Sequence, residues 1–346
     1  MELKIRSDKM DSKDAWKVGI PLWLGIGIFA IAFRYIGFGE ILQNLRGLNL
    51  FLYFLAILCI ICSIFLWTLR WKFFIEVEGH KTSTYNLFKT LLVGLAINNL
   101  TPLAKLGGEP VRAYLLRRNE NIRMREGLAS VLAELTILFI VTLAFIILSL
   151  FLIPFVISPP SWVILMVIPF ALAAALILAG IVGIYSGRNI VIRIIEWFGS
   201  KIERLEPYKK KLIDRYLEFQ RVFRRSLKNR KAFSKALVAA VLSRAFNFAK
   251  FYLIFLALGY RIDFLTLFIG MGVSIIVLSL PTTPGSLGVY EGGFISIFAF
   301  LGVPPQIAAT VVFLERLVWF WGVTIVGGSL GTYYGIDIWK SSKRET

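Results

Sequence analysis

The amino-acid sequence predicts an all-α integral membrane protein with about six full transmembrane helices and two re-entrant helical hairpins arranged as an inverted-topology repeat. Three observations lead to this prediction: the apolar composition, the distribution of basic residues, and two interrupted apolar segments with one organisation. Of the 346 residues 57% are hydrophobic, and the mean hydropathy is +0.73. A soluble core of this length cannot bury so much apolar material. We therefore expect lipid to be the main solvent.

Six apolar stretches are long enough to cross a membrane, because a helix needs about 20 apolar residues to cross roughly 30 Å of hydrocarbon. The first follows a charged N-terminus and could be a cleaved signal peptide, but its long apolar run favours an uncleaved helix. The six predicted helices are Val18 to Phe38, Leu50 to Leu69, Leu128 to Phe155, Trp162 to Tyr185, Phe233 to Leu258 and Ile307 to Tyr334.

The basic residues predict the orientation, since cytoplasmic loops are enriched in Lys and Arg. The segment from Arg188 to Lys235 has fifteen Lys and Arg against five Asp and Glu, which is +10 of the net charge of +18. The N-terminus, the stretch from Arg70 to Lys89 and the C-terminal tail are also basic. We therefore predict a multi-pass protein of the cell membrane with the N-terminus, the basic loop and the C-terminus in the cytoplasm.

The basic loop also has apolar residues at spacings that suit amphipathic helices, for example Leu212, Tyr216 and Phe219. The simpler interpretation is a solvated helical hairpin that follows the positive-inside rule, and the alternative is specific recognition of anionic lipid headgroups. The sequence pI near 10.0 can also indicate nucleic-acid binding. Here membrane topology explains the charge and no aromatic-basic motif is present, so we expect no nucleic-acid partner.

Two other apolar segments, Leu87 to Leu103 and Phe264 to Leu280, run into Pro and Gly before a second short helix. In each, a glutamate opens the second helix seven positions after a proline. These pairs are Pro102 with Glu109 and Pro284 with Glu291. A further carboxylate, Glu134 or Glu315, follows each pair at nearly the same interval, within a full-length helix. We interpret this correspondence as an internal duplication.

The flanking charges indicate that the two copies are inverted. The first hairpin lies between basic stretches and should enter from the cytoplasm, whereas the second should enter from outside. Such repeats are typical of secondary transporters, whose substrate sites lie near the midplane. The predicted domains are a cytoplasmic segment 1–17, one membrane domain 18–338, and a cytoplasmic tail 339–346. The membrane domain comprises repeat one (about 50–155), the basic loop (187–232) and repeat two (about 233–335).

Turns of Pro, Gly and Thr at membrane depth predict a cavity, because unpaired backbone there must be buried in protein or face water. Ionisable residues within the spans mark the same region, since an unpaired charge at the bilayer centre costs about 3 kcal/mol. The hairpin residues could also serve only to shape and cap the turns, and the charges could form structural ion pairs. The candidate substrate-binding residues are Asn98, Asn99, Pro102, Gly108, Glu109, Arg112, Glu134, Arg244, Pro284, Gly285, Gly288, Tyr290, Glu291, Glu315 and Arg316.

Four motifs carry a resemblance to a known family: Asn99-Leu100-Thr101-Pro102, Gly107-Gly108-Glu109-Pro110-Val111-Arg112-Ala113, Pro284-Gly285-Ser286-Leu287-Gly288-Val289-Tyr290-Glu291 and Glu315-Arg316-Leu317. They resemble the paired signatures of the lysylphosphatidylglycerol synthase transmembrane region, also called the flippase-like domain family. The resemblance covers most of the chain and implies a flippase for lipid. The synthases of that family need a soluble aminoacyl-transfer domain, whereas only a short tail follows Trp339. The resemblance therefore implies the lipid-moving part without the synthase.

Two function classes follow. The leading one is a transporter that moves a polar-headgroup lipid between leaflets, with membrane lipids, anionic or zwitterionic phospholipids, as its partners. The other is a membrane enzyme, or an accessory subunit of one, acting on a lipid or a lipid-linked glycan. We find no catalytic motif, no P-loop and no metal-ligand cluster, and His80 is the single histidine. We therefore predict a protein that is not an enzyme and that has no metal and no cofactor.

Overall fold

The computed structural model describes residues 38–101, 107–156, 161–186, 192–193, 206–278 and 286–342. All regular secondary structure in these ranges is helical. In chain order the helices are α1 (Phe38–Arg46), α2 (Leu50–Val77), α3 (Thr84–Leu100), α4 (Gly108–Glu120), α5 (Met124–Leu152), α6 (Ser161–Ser186), α7 (Glu206–Lys228), α8 (Arg230–Ala257), α9 (Phe264–Leu278), α10 (Val289–Phe300), α11 (Pro305–Arg316) and α12 (Val323–Ser342).

The prediction of a helical membrane protein is confirmed. Within the described ranges four helices are long and apolar enough to cross a bilayer: Leu50–Val77, Met124–Phe155, Arg230–Ala257 and Pro305–Tyr334. A short 3₁₀ turn extends α5, and a π-helical segment, Leu317–Gly322, joins α11 to α12. Helix α6 agrees with the fourth predicted stretch. The first predicted stretch lies outside the described residues.

The end of α2 differs from the prediction. The sequence placed Arg70 in a cytoplasmic stretch, but α2 continues to Val77 and the Arg70 side chain is 1% exposed. The helix continues because Arg70 has an internal carboxylate partner, Glu134. The positive-inside rule therefore misplaced this residue: its charge is compensated within the protein.

Helices α2 and α8 form the centre of the fold and run antiparallel. At one end the Asn49 amide, just before α2, donates to the Ala257 carbonyl at the end of α8 (2.8 Å). At the other end Lys235, near the start of α8, lies over the Phe73 ring at 5.5 Å. We call the end at which α2 ends and α8 begins the basic end of the bundle.

Both helices have the same residue types at their two ends, and the corresponding residues are separated by one constant interval along the chain. Asn49 and Asn229 cap them, each side chain accepting a hydrogen bond from the backbone amide three residues later (3.1 and 3.0 Å). Gly79 and Gly259 follow their ends with positive φ values of 84° and 73°, a conformation that favours glycine. This constant interval is what the predicted internal duplication would produce.

The two hairpins approach the α2–α8 pair from opposite ends. In the first, Asn86 of α3 donates to Glu120 of α4 (2.9 Å) at the basic end, and the Asn98 side chain accepts from the Gly108 amide (2.6 Å) at the tip. In the second, α9 begins after α8 has reached the other end, and Gly270 packs against Phe298 of α10. Their helices are about 18–26 Å long, shorter than the hydrocarbon layer.

The last long helix of each half packs on the hairpin of the other half. Helix α12 lies on α3, where a Cβ on Gly327 would overlap the Leu92 carbonyl oxygen. Helix α5 lies on α9, where the Ser149 hydroxyl donates to the Phe268 carbonyl (3.2 Å) and Gly272 leaves room for Ser149. This exchange holds the two halves together around their common centre.

Candidate functional site

A cavity of about 400 Å³ lies between the two halves. Its wall is formed by helices α2 to α5 of the first half. Helices α8 to α11 and the π-helical segment of the second half complete it. Among the described residues the polar and charged ones that line it are Ser63, Arg70, Asn98, Asn99, Glu109, Thr142, Ser243, Arg244, Asn247, Lys250, Ser274 and Glu315, and the aromatic ones are Trp67, Phe251, Tyr290, Phe294 and Trp319.

Two serines mark the middle of this wall. The Ser63 and Ser243 hydroxyl oxygens are 2.8 Å apart, and each hydroxyl also lies within reach of the other residue's carbonyl (3.4 and 3.3 Å). The two serines are 180 positions apart in the sequence and belong to antiparallel helices. A contact that is unchanged when its partners are exchanged lies on a two-fold axis. This pseudo-two-fold axis runs perpendicular to α2 and α8.

In the first half, one carboxylate receives two guanidinium groups. Glu134 is fully buried, and its Oε1 accepts from Nε (2.8 Å) and Nη2 of Arg70. Its Oε2 accepts from both terminal nitrogens of Arg112, each at 3.3 Å. Arg112 also lies over the Trp71 ring at 4.2 Å. Such a group is stable in an apolar interior because every charge has a close partner.

The tip of the first hairpin joins this network through Glu109. Arg112 donates to Glu109 Oε2 (2.9 Å), and the Asn98 side-chain amide donates to Glu109 Oε1 (3.1 Å). Asn98 also accepts from the Gly108 amide, which satisfies a backbone donor at the start of α4. Asn99 faces the other half instead and donates to Thr324 (2.9 Å).

In the second half, the described residues form two ion pairs that share no side chain. Lys250 donates to Glu315 (2.8 Å), and Arg316 pairs with Glu291, Nε to Oε1, at 2.5 Å. Arg316 also lies over the Tyr290 ring at 4.6 Å. All four ionisable side chains are buried. The interval from Arg70 to Lys250 equals that from Ser63 to Ser243, so each central helix supplies a cation to the buried glutamate of its own half.

The glutamate of the second hairpin also caps its helix. Glu291 accepts a hydrogen bond from the Gly288 amide (2.6 Å), as a capping residue at the third position of a helix does. Gly288 has φ +81°, which explains a glycine at this position. Both the capping role and the ion-pair role weighed in the sequence analysis are therefore present at Glu291.

Arg244 is the cation of the cavity wall that has no carboxylate partner among the described residues. It donates to the Thr142 hydroxyl (2.5 Å) and lies 5.5 Å from the centre of the Phe145 ring. The other buried cations, Arg70, Arg112, Lys250 and Arg316, pair with four glutamates. The described part of the site therefore has one positive charge in excess, and it is on the cavity wall.

The structure distributes the predicted site residues over three places. Those on the cavity wall are Asn98, Asn99, Glu109, Arg244, Tyr290 and Glu315. Those behind the wall, within the hydrogen-bond and ion-pair networks, are Gly108, Arg112, Glu134, Gly288, Glu291 and Arg316. Those outside the described residues are Pro102, Pro284 and Gly285. The role of all these predicted site residues in binding a substrate stays a prediction.

The candidate residues from the sequence did not include several residues of the wall. Ser63, Ser243 and Asn247 were missed because single small polar residues are common within membrane helices. Arg70 was assigned to a loop. The equal interval that separates Ser63 from Ser243 and Arg70 from Lys250 is the signal that could have identified them. Among the described residues no group of three or more His, Cys, Asp or Glu side chains could hold a metal ion.

Comparison with known proteins gives related membrane proteins. Two UPF0104 membrane proteins of Methanothermobacter thermautotrophicus are similar to this chain. One is 28% identical over 334 residues, covering 93% of this chain and 97% of the relative, and the other is 31% identical over 330 residues, covering 91% and 92%. A UPF0104 membrane protein of Pyrococcus horikoshii is 27% identical over 318 residues, covering 89% and 94%.

No solved structure matches. The family model described as the lysylphosphatidylglycerol synthase TM region matches residues 19–327, which include both hairpins, both central helices and the complete described wall of the cavity. The match agrees with the resemblance found in the motifs. The chain therefore belongs to the lysylphosphatidylglycerol synthase transmembrane region family.

Proposed function

We propose that this protein moves a phospholipid, or another lipid with a polar headgroup, between the leaflets. The headgroup passes through the central cavity while the acyl chains stay in the hydrocarbon. The observation that carries the proposal is a cavity of about 400 Å³ lined by charged and polar side chains, within a bundle of apolar membrane helices. Ionisable residues at membrane depth are costly and are typical of substrate pathways.

The proposal includes an inverted-topology repeat with two re-entrant hairpins. It is supported by the antiparallel pairing of α2 with α8, by the reciprocal contact of Ser63 with Ser243, and by hairpins that approach from opposite ends. In secondary transporters such repeats rock about a central site and open it to each side in turn. We propose the same movement here, with the basic end and both termini in the cytoplasm.

The size and charge of the cavity fit a headgroup. Sites for small molecules have volumes of roughly 300–1,000 Å³, so the cavity suits a phosphate-containing headgroup rather than a whole lipid. Arg244 supplies a positive charge that no glutamate of the described wall neutralises. A guanidinium binds phosphate through paired hydrogen bonds. We therefore propose an anionic or zwitterionic phospholipid as substrate.

The function can be tested in proteoliposomes that contain fluorescent phosphatidylglycerol. Wild-type protein should expose inner-leaflet label to an external quencher faster than empty vesicles do. Arg244→Gln should lower this rate by about tenfold, since a hydrogen bond to a charged group contributes roughly 1.5–3 kcal/mol. Arg261→Gln, which removes an exposed charge from the loop before α9, is the matched control and should have no effect.

Two results would contradict the proposal. One is a wild-type rate no greater than that of empty vesicles, and the other is an Arg244→Gln rate equal to wild type in a protein that remains folded. The topology has its own test. Single cysteines at Lys228 and Arg261, both exposed, in a protein without Cys59 and Cys62 should be labelled from opposite sides of the membrane. Labelling from one side would contradict the inverted repeat.

One observation favours a second candidate function, a membrane enzyme or accessory subunit acting on a lipid-linked substrate. Glu315 lines the cavity, and its buried Oε2 has no hydrogen-bond partner among the described residues. A carboxylate oxygen in this position could accept a proton from a substrate. Mass spectrometry of lipids incubated with the purified protein would distinguish the two candidates, because a transporter leaves their masses unchanged.

A further inference from the structure

The amphipathic helix α7 is fixed against the membrane bundle. Its Val222 and Phe223 side chains are 7% and 0% exposed and pack in one apolar cluster with Phe74 of α2, Ala129 of α5 and Ala236 of α8. Burial of an aromatic and an aliphatic side chain stabilises this docked position. The part of the basic loop that forms α7 is therefore not freely solvated. The face of α7 that points away from this apolar cluster has a fixed position beside the basic end of the bundle.

Two acidic residues of this region form ion pairs at the edge of the docked helix. Glu218 of α7 pairs with Arg123 (3.4 Å) and Arg125, which lie just before and within the start of α5. Glu78, directly after α2, lies 3.6 Å from Arg225 of α7. These contacts attach α7 to α2 and α5. Among the described ion pairs, Arg225 is the basic side chain of α7 that takes part.

A pocket of about 750 Å³ opens between α7, the end of α2 and the start of α8. Four cations line it, Arg221, Arg224, Arg225 and Lys228, and no carboxylate is among its described lining residues. Their spacing places them on one face of the helix. Arg225 has a partner in Glu78. Like charges at the spacings of Arg221, Arg224 and Lys228 repel, so the arrangement of these three is unfavourable without an anion. The buried Nε of Arg224 has no hydrogen-bond partner in the described part of the chain.

We propose that this pocket is a second ligand site, separate from the central cavity, and that it binds a phosphate group. A phosphate offers three acceptor oxygens and up to two negative charges, and guanidinium groups match its geometry. Val77 at the pocket ends one membrane span, and Asn229 precedes the next. The pocket thus lies at the level of lipid headgroups, where a lipid phosphate or a soluble phosphate ester can reach it.

The full-length protein in phosphatidylcholine nanodiscs provides the test. Native mass spectrometry would count bound phosphatidic acid as its fraction in the bilayer is raised. The double variant Arg221→Gln/Lys228→Gln should bind about tenfold less tightly or worse, as expected when charge-assisted contacts are lost. The control, Arg230→Gln/Lys231→Gln, removes the same charge from exposed positions that do not line the pocket, and should change binding less than twofold.

Titration with inorganic phosphate and with glycerol 3-phosphate identifies the source of the ligand. Competition by these soluble compounds would indicate a soluble phosphate ester, and binding of phosphatidic acid that they do not displace would indicate a lipid. Either result supports the site. Equal loss of binding in the two double variants would overturn the proposal, because it would show general attraction to a basic surface. Absence of any preference for phosphatidic acid over phosphatidylcholine, with no binding of the soluble phosphates, would overturn it as well.

Discussion

In each half of the molecule the ion pairs involve two cations and two glutamates, but the two halves connect them differently. In the first half Glu134 accepts from both Arg70 and Arg112, and Arg112 reaches on to Glu109, so the four side chains form one network. In the second half the described contacts form two pairs that share no side chain, Lys250–Glu315 and Arg316–Glu291. In both halves one cation lies on the central helix, whereas the second cation lies on a different helix in each half.

The position of the second cation explains the difference. In the first half it is Arg112, on the hairpin beside Glu109, and from there it reaches Glu134. In the second half it is Arg316, on the long helix beside Glu315, and it reaches back to Glu291. The comparison teaches that each of these glutamates is paired with a cation of its own half, while the helix that supplies the cation can change.

The largest effect is expected when the shared carboxylate of the first half is removed. Glu134→Gln leaves both Arg70 and Arg112 without their common partner, whereas Glu315→Gln leaves Lys250. Breaking a buried ion pair costs roughly 3–5 kcal/mol, so Glu134→Gln should lower the thermal midpoint in detergent more than Glu315→Gln. Glu76→Gln, in a side chain 48% exposed, is the control and should have little effect. Equal shifts for the two buried variants would show that the networks are equivalent.

A smaller effect is expected from packing at the two hairpins, which differ in how closely their helices approach. A Cβ at Gly108 would overlap the Gly94 carbonyl oxygen, whereas nothing lies within 4 Å of a Cβ at Gly292. Gly108→Ala should therefore destabilise the protein by about 1–3 kcal/mol. Gly292→Ala should be neutral or stabilise its helix by up to about 1 kcal/mol. Thermal unfolding of both variants checks this, and similar tolerance at both sites would argue against tight packing of the first hairpin.

The smallest effect is expected at the two ends of the central pair. Glu78 follows α2, and Leu258 follows α8 at the corresponding position. Burial raises the pKa of the Glu78 carboxyl, with Glu126 adding to it, although Arg225, His80 and Arg123 oppose the shift. An acid whose pKa is raised on folding costs stability when ionised, and this cost disappears as the pH falls through the raised pKa.

Glu78→Gln should therefore raise the thermal midpoint slightly at neutral pH, and the two proteins should converge as the pH is lowered toward the ordinary glutamate range. Unfolding of wild type and variant over a pH series measures this difference. A variant that is less stable than wild type at neutral pH would show instead that the contact of Glu78 with Arg225 outweighs the effect of burial. Leu258→Gln gives the comparison at an end without a titratable group, and its effect should not depend on pH.

The fold was largely predictable because hydropathy and the proline-glycine turns are local signals. They predicted the helical membrane protein that the structure shows, and they drew attention to the glutamates at positions 109, 134, 291 and 315; the re-entrant hairpins stay a prediction. The i,i+3 spacing of Glu109 and Arg112 indicates their contact. The contacts of Arg112 with Glu134 and of Arg316 with Glu291 were not predictable, since they depend on how far a side chain reaches across helices. Arg70 was misplaced because a basic residue near the end of an apolar run is the usual sign of a loop.

The contact of Ser63 with Ser243 has a consequence for the origin of the chain. We infer that an ancestor of half this length assembled as two identical copies in opposite orientations, so that one serine met itself across the axis. Any substitution there altered both sides of the contact at once. A single chain is free of that constraint, and the residues four positions further along differ: Trp67 on α2, and on α8 Asn247, which donates to Ser63 (2.7 Å).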